Sequence, residues 1–266
     1  MSHFLGRGYQ SDAITIRRLE LQQTANKLGK TPVPTEQAEW EKARSNLLSQ
    51  IQKFNNEAKK HLGDEALSDT TGVIIFGGNE FEDEREVIEG NERPPAADDP
   101  LVQAIALPSV LANPSQYPHL ADIRKKELEL RRGLANDILS DIRQTVGQLS
   151  FQWRKGVRPA PDKARATRAC TAAAAIRSKL ALEAKFYNQV CQSMERLGMS
   201  QLELENGYKM LHLEDIAISM AVQGPNERGE KQKQLSWIWT TFPGLTQDDN
   251  YLTECTYICF LRFRCW

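Results

Sequence analysis

The hydrophobic positions of the first sixty residues repeat at the spacing of amphipathic helices. A first helix is predicted from 11 to 29, with Ser11 or Asp12 as its N-cap and Gly29 as its end. Prolines within 31–35 then interrupt the chain, and a second helix is predicted from 35 to 62. Its apolar face comprises Trp40, Ala43, Leu47, Leu48, Ile51, Phe54, Ala58 and Leu62. Residues 1–62 are therefore predicted to form an N-terminal helical pair.

This periodicity is lost between residues 63 and 118. One short strand is predicted at 73–76, before two glycines. Residues 80–99 hold nine carboxylates against two arginines, a net charge of −7, and the segment contains several prolines. A composition so charged and so poor in apolar residues is typical of a solvated, disordered chain. We therefore predict an acidic, proline-containing linker over 63–118.

The second half of the chain predicts a long helical hairpin. A helix is expected over 119–150, a turn over 151–161, and a second helix over 163–197 with Asp162 as its N-cap. The apolar positions of the second helix alternate at spacings of three and four, close to a heptad repeat. Two such helices joined by a short turn pack antiparallel. The predicted fold is mainly α, with a coiled-coil-like hairpin and a Trp-rich segment over 119–240 and an atypical tail over 241–266.

The last part of this region predicts one more short helix, over 214–222, and then a concentrated apolar segment. The candidate interaction residues there are Trp237, Ile238 and Trp239. A segment with two indole rings must be buried, dock on a partner or aggregate.

Charge is unevenly distributed along the 266 residues, although 34 Lys and Arg nearly balance 35 Asp and Glu. From Arg143 to Lys185, ten basic residues face two acidic ones, a net charge of +8, and Phe151 and Trp153 lie beside the densest part. Such a turn can bind phosphates and stack on bases, or it can pair with the acidic segment of the same chain. The candidate nucleic-acid-binding residues are Arg154, Lys155, Arg158, Lys163, Arg165 and Arg168.

Motifs for catalysis and metal binding are missing from the sequence. The four histidines are scattered, and the five cysteines form no C-x2-C pair. Asp137 and Asp141 share one helix face, which we interpret as a solvated flank. We predict no catalytic residue, no metal and no cofactor. No apolar run approaches the ~20 residues of a membrane span, and the amino terminus is not a secretory signal. An intracellular protein without membrane contact is expected.

Several short blocks stand out in order along the chain: 131–137, Phe151, 157–160, 165–169, 214–216, 225–226, 228–229 and 235–239, with 107–109 and the helix around Lys53 and Phe54 upstream of them. In this order they resemble the C-terminal helical region of fungal Kyakuja–Dileera–Zisupton (KDZ) transposases. The resemblance spans about residues 40 to 255. It implies a transposon origin and a nuclear location. The family's acidic catalytic triad lies in a preceding α/β domain, and none of its residues has a counterpart here. The resemblance therefore implies a non-catalytic module.

Three functional interpretations are consistent with these observations. The first is a transposase-derived helical module for self-association or protein interaction. The second is an accessory nucleic-acid-binding region that uses the basic residues of 154–168. The third is a truncated transposon relic without a function.

Overall fold

A computed structural model describes residues 2–28, 32–63, 99–111, 116–216 and 236–239. The acidic run over 80–99 apart from Asp99, the strand predicted at 73–76, residues 217–222 and the tail over 241–266 lie outside these residues. The regular structure within them is helical, which confirms the predicted mainly α fold class. The helices are α1 Ser2–Leu28, α2 Pro34–Leu62, α3 Ala121–Gln152, α4 Lys163–Arg196 and α5 Gln201–Gly207.

The helix α1 begins nine residues before the predicted start at 11. Ser11 and Asp12, predicted as N-cap residues, lie inside the helix. The Ser11 hydroxyl is buried and donates to the carbonyl of Gly8 at 2.8 Å. A serine hydroxyl can satisfy either a helix terminus or a carbonyl in the preceding turn, and here it does the latter. The second helix begins at Pro34, whose missing N–H costs nothing at the first helical position.

The predicted hairpin is formed by α3 and α4, which pack along their length. The centre of their interface is fully buried, with Leu139 and Ile142 of α3 against Ala184, Tyr187 and Val190 of α4. Ala184 and Tyr187 belong to the near-heptad repeat, and Val190 lies beside it. The apolar face predicted for α4 therefore packs against α3 of the same chain.

The connection between α3 and α4 is more helical than predicted. The helix α3 continues to Gln152 and then widens into a π-helical turn over Trp153–Val157. Asp162 caps α4 as predicted, since its Oδ1 accepts the backbone N–H of Arg165 at 2.8 Å. At the far end of α4, Gly198 has a φ of 94°, which favours glycine and turns the chain towards α5. The helix α5 was not predicted.

The helix α1 contacts both the hairpin and α2. Leu19 packs in the hairpin core, whereas Ile14 and Leu21 pack with α2. The side-chain amide of Gln23 also donates to the carbonyl of Ser178 on α4 at 3.1 Å. None of the described helices is both long and apolar enough to cross a membrane.

Residues 99–111, the described end of the segment predicted as a linker, lie against α1 and α2. Ile105 is buried among α1 and α2 side chains. Asn55 of α2 donates to the carbonyl of Ala104 at 2.9 Å and accepts the N–H of Ala106 at 2.8 Å. The buried Arg18 of α1 donates to the carbonyl of Pro100 at 2.9 Å. Side chains of the two helices thus satisfy backbone groups within residues 100–106, ahead of a short 3₁₀ helix over Pro108–Val110.

Candidate nucleic-acid interface

The six candidate cationic residues lie together at the end of the hairpin where α3 turns into α4. We call residues 151–168 the basic turn. Arg154, Lys155 and Arg158 belong to the π-helical turn and its exit, and Lys163, Arg165 and Arg168 to the first two turns of α4. All are exposed except Arg154, which is half-buried. Because a helix rises 1.5 Å per residue, the three α4 cations extend over ~7.5 Å along its axis.

Two side chains anchor the basic turn to the hairpin core. Trp153 and Val157 are half-buried and pack against the α3 and α4 interior. Both side chains therefore lie on the inward side of the turn. Lys155 and Arg158 remain exposed, and Arg154 is half-buried.

A close approach of the two helices also fixes the basic turn. The side-chain amide of Gln152 donates to the carbonyl of Ala169 at 3.3 Å. A Cβ at Gly156 would lie 2.8 Å from Nε2 of Gln152 and 3.4 Å from the Cβ of Ala169. The absence of a side chain at 156 therefore leaves room for the hydrogen bond that joins the end of α3 to the start of α4.

The basic turn carries one carboxylate against six cationic residues, a net charge of +5. That carboxylate, Asp162, caps α4 with Oδ1, and its Oδ2 lies 3.4 Å from Nε of Arg165. Both side chains are exposed, and an exposed pair of this kind contributes ~0–1 kcal/mol. The pair therefore reduces the positive charge of the surface only slightly.

The two aromatic residues of the basic turn have different environments. Trp153 packs into the hairpin core, whereas Phe151 is 53 % exposed on the last turn of α3. Phe151 and Lys155 are both exposed and lie only four residues apart in the chain. The basic turn thus presents an aromatic ring next to its cations.

The second candidate site, at residues 237–239, is docked on the hairpin of its own chain. Ile238 is fully buried, and Trp237 and Trp239 are half-buried against the core. The Nε of Arg143 donates to the carbonyl of Ile238 at 2.6 Å. The rings of Trp237 and Tyr187 lie 6.4 Å apart between centroids. Ile238 is thereby used in the internal packing, and the two indole rings keep part of their surface exposed.

A buried charged cluster, which we name the Glu127 cluster, joins α1, α3 and residues 99–111. Glu127 accepts the hydroxyl of Ser109 at 2.7 Å and its N–H at 3.1 Å. Arg131 lies 3.3 Å from Glu127 and 3.5 Å from Asp12 of α1. Glu127 and Arg131 are 5 % and 8 % exposed. Sequence reasoning missed this cluster, although its signal was present: both residues occupy apolar-face positions of α3.

Burial raises the pKa of Asp12 above its usual 3.8, and this effect exceeds the opposing effect of the Arg131 guanidinium. A cavity of about 230 Å³ adjoins the cluster, with walls from α1, α2, α3 and residues 106–108. Its lining is mainly apolar, from side chains that include Leu62, Ile123 and Leu130.

Cys191 and the pair Asp137 and Asp141 are further titratable groups of the hairpin. Burial raises the pKa of the Cys191 thiol to about 12, which disfavours the reactive thiolate. Asp137 and Asp141 are both exposed, as predicted for a solvated flank. Among the residues in these ranges, no three His, Cys, Asp or Glu side chains are grouped as a metal site requires.

No family model, no curated protein and no solved structure matches the chain.

Proposed function

We propose that this chain is a non-catalytic helical module that binds nucleic acid through the basic turn. The observation that carries the proposal is a group of five exposed cations beside an exposed aromatic ring, at one end of a packed hairpin. Nucleic-acid affinity comes largely from Lys and Arg contacts to phosphates, which release condensed counterions. Five such side chains over a short length of chain supply this electrostatic contribution to the affinity, and one carboxylate opposes it.

Self-association is the second candidate function, and Trp237 and Trp239 are the residues that favour it. Their rings are half-buried at the hairpin surface, a setting typical of aromatic residues in interfaces. The near-heptad repeat of α4 gives less support to self-association, because the residues of this repeat pack within the chain. Light scattering tests this candidate: it predicts a dimer that Trp239→Ala dissociates, and a monomer at all concentrations would contradict it.

A KDZ transposase origin, with a nuclear location, belongs to the same proposal. It is supported by the order of the resembling blocks along the chain. Two of these blocks also meet in space, since Ser109 of the first and Arg131 of the second both contact Glu127. A helical region descended from such an enzyme would keep contacts to nucleic acid.

Fluorescence anisotropy with a labelled oligonucleotide tests nucleic-acid binding. Lys155, Arg158 and Lys163 are exposed, so their joint substitution by Ala removes three cations without opening the core. We expect this triple variant to bind at least about tenfold more weakly at low salt. The matched control replaces Lys125 and Lys126, also exposed, which lie about 40 Å from the basic turn along α3.

The control variant is expected to bind as the wild type does. Equal binding by the triple variant and the wild type would contradict the proposal, as would an equal loss in the control. Far-ultraviolet circular dichroism of all three proteins verifies that the helices are intact.

A further inference from the structure

We propose that the basic turn selects single-stranded nucleic acid, with one base stacked on the ring of Phe151. This inference rests on the proposed nucleic-acid binding and names the class of strand that the same surface takes. The exposed ring of Phe151 next to Lys155 carries it.

Phe151 is the aromatic residue of the basic turn that the fold leaves accessible. It is 53 % exposed, whereas Trp153 packs into the core two residues later. Its ring does not belong to the hydrophobic clusters of the described core. A solvent-facing phenyl ring among cations is the pairing that binds unstacked bases, since every base has a π-face and every nucleotide a phosphate.

A duplex cannot use this ring in the same way. The faces of its bases are stacked on one another, and the grooves present only base edges. The cations attract either kind of strand through its phosphates, but the ring adds affinity only where a base is unstacked. Preference for a single strand therefore depends on Phe151, and general affinity on the cations.

The size of the patch fits a short strand. The exposed cations are Lys155, Arg158, Lys163, Arg165 and Arg168. With ~0.7 counterions released per phosphate contact on a single strand, five contacts give a slope of log affinity against log salt of at most about −3.5. Phe151 and Lys155 are four residues apart, at most ~6 Å along the axis at the α-helical rise, so a ring-bound base and the neighbouring phosphate are both within reach.

The experiment compares two probes on the full chain at one salt concentration. The probes are a labelled oligothymidylate of about 12 nucleotides and a labelled duplex of the same length, which contains no unpaired base. We expect the wild type to bind the single strand more tightly. Phe151→Leu keeps an apolar side chain but removes the π-face, and it should weaken single-strand binding by about five- to one-hundredfold. Its affinity for the duplex should stay within about twofold.

Two further variants make the result specific. Phe151→Trp supplies a larger π-face and should restore or exceed wild-type affinity for the single strand. Leu202→Ala is the control, because Leu202 is 69 % exposed and lies on α5, beyond the far end of α4 and about 50 Å from the basic turn. It should leave both affinities unchanged.

The outcomes separate this inference from the proposed function. Duplex binding as tight as single-strand binding, or an unchanged single-strand affinity in Phe151→Leu, overturns the inference while cation-dependent binding still stands. If Phe151→Leu weakens binding to both probes equally, strand selection by the ring is likewise overturned. If the wild type binds neither probe at low salt, nucleic-acid binding itself is wrong.

Discussion

Glu127 is the centre of a buried polar cluster that joins α3 to residues 99–111. Its carboxylate accepts two hydrogen bonds from Ser109 and lies within 3.3 Å of Arg131, in surroundings that leave it 5 % exposed. A buried charge is tolerated only when its partners satisfy it. Glu127 thus holds residues 99–111 against the hairpin.

Glu127→Ala should lower the free energy of unfolding by about 3 kcal/mol, since it leaves Arg131 and the Ser109 N–H without their main partner. Urea unfolding measures the loss. Glu129 lies two residues further along α3 and is exposed, so Glu129→Ala should change stability by less than about 0.5 kcal/mol. Similar losses in the two variants would show that the Glu127 cluster does not stabilise the fold.

Asp12 makes stability depend on pH, with a sign set by its raised pKa. Below 3.8 the carboxyl is protonated in both the folded and the unfolded chain. Above 3.8 the unfolded chain releases the proton first, so the free energy of unfolding falls as pH rises towards the folded pKa. Asp12→Asn cannot titrate. Urea unfolding at a series of pH values should therefore show its stability, relative to wild type, rising with pH through this window. A constant or falling difference would contradict the assignment.

At the scale of the element, the start of α4 combines a structural and an electrostatic role in Asp162. The carboxylate caps the helix, and it is also the one negative charge of the basic turn. Because Asn caps a helix about as well as Asp does, the two roles can be separated by substitution.

Asp162→Asn should keep the unfolding free energy within about 0.5 kcal/mol of wild type, whereas Asp162→Ala should lose about 1 kcal/mol. Both variants raise the net charge of the basic turn by one, so both should bind nucleic acid more tightly than wild type. Thermal melts and anisotropy titrations on the same samples measure the two effects. Weaker binding by Asp162→Asn would contradict the proposed electrostatic role of the basic turn.

The hairpin was predictable because its seam and its cap are local features. The three-four spacing of α4 and the Asp162 cap need no knowledge of the rest of the chain. The roles of Glu127 and Arg131 at apolar positions of α3 could not be predicted from local features. Their partners Ser109 and Asp12 come from distant parts of the sequence. The partners in such long-range pairs are determined by how the helices pack, and the periodicity of one helix does not reveal them.

The candidate site was predictable in its charges and not in its aromatic residues. Cationic residues in the connection between the two helices of a hairpin lie together at one end of it, whatever the conformation of the connection. The π-helical turn adds a residue to one turn of helix, which rotates the subsequent residues by ~100° about the helix axis. The sequence could not show that Trp153 would face the core and Phe151 the solvent, because the helix was expected to end at 150.

At the scale of the molecule, α1 joins the hairpin to the other described helices. It reaches α3 through Asp12 and Arg131, α4 through Gln23, and residues 99–111 through Arg18. These contacts lie along the body of the hairpin, and the basic turn projects at one end of it. The arrangement separates the parts that hold the fold together from the surface proposed to bind nucleic acid.

The salt dependence of binding is the most direct test of the claim that the basic turn contacts phosphates. Anisotropy titrations from about 50 to about 200 mM salt, with a single-stranded probe, give the slope of log affinity against log salt. Removal of Lys155, Arg158 and Lys163 should reduce the magnitude of that slope by about 2, while the Lys125 and Lys126 control keeps the wild-type slope. Equal slopes in the triple variant and the wild type would mean that these cations contact no phosphate, and the account of the basic turn would be wrong.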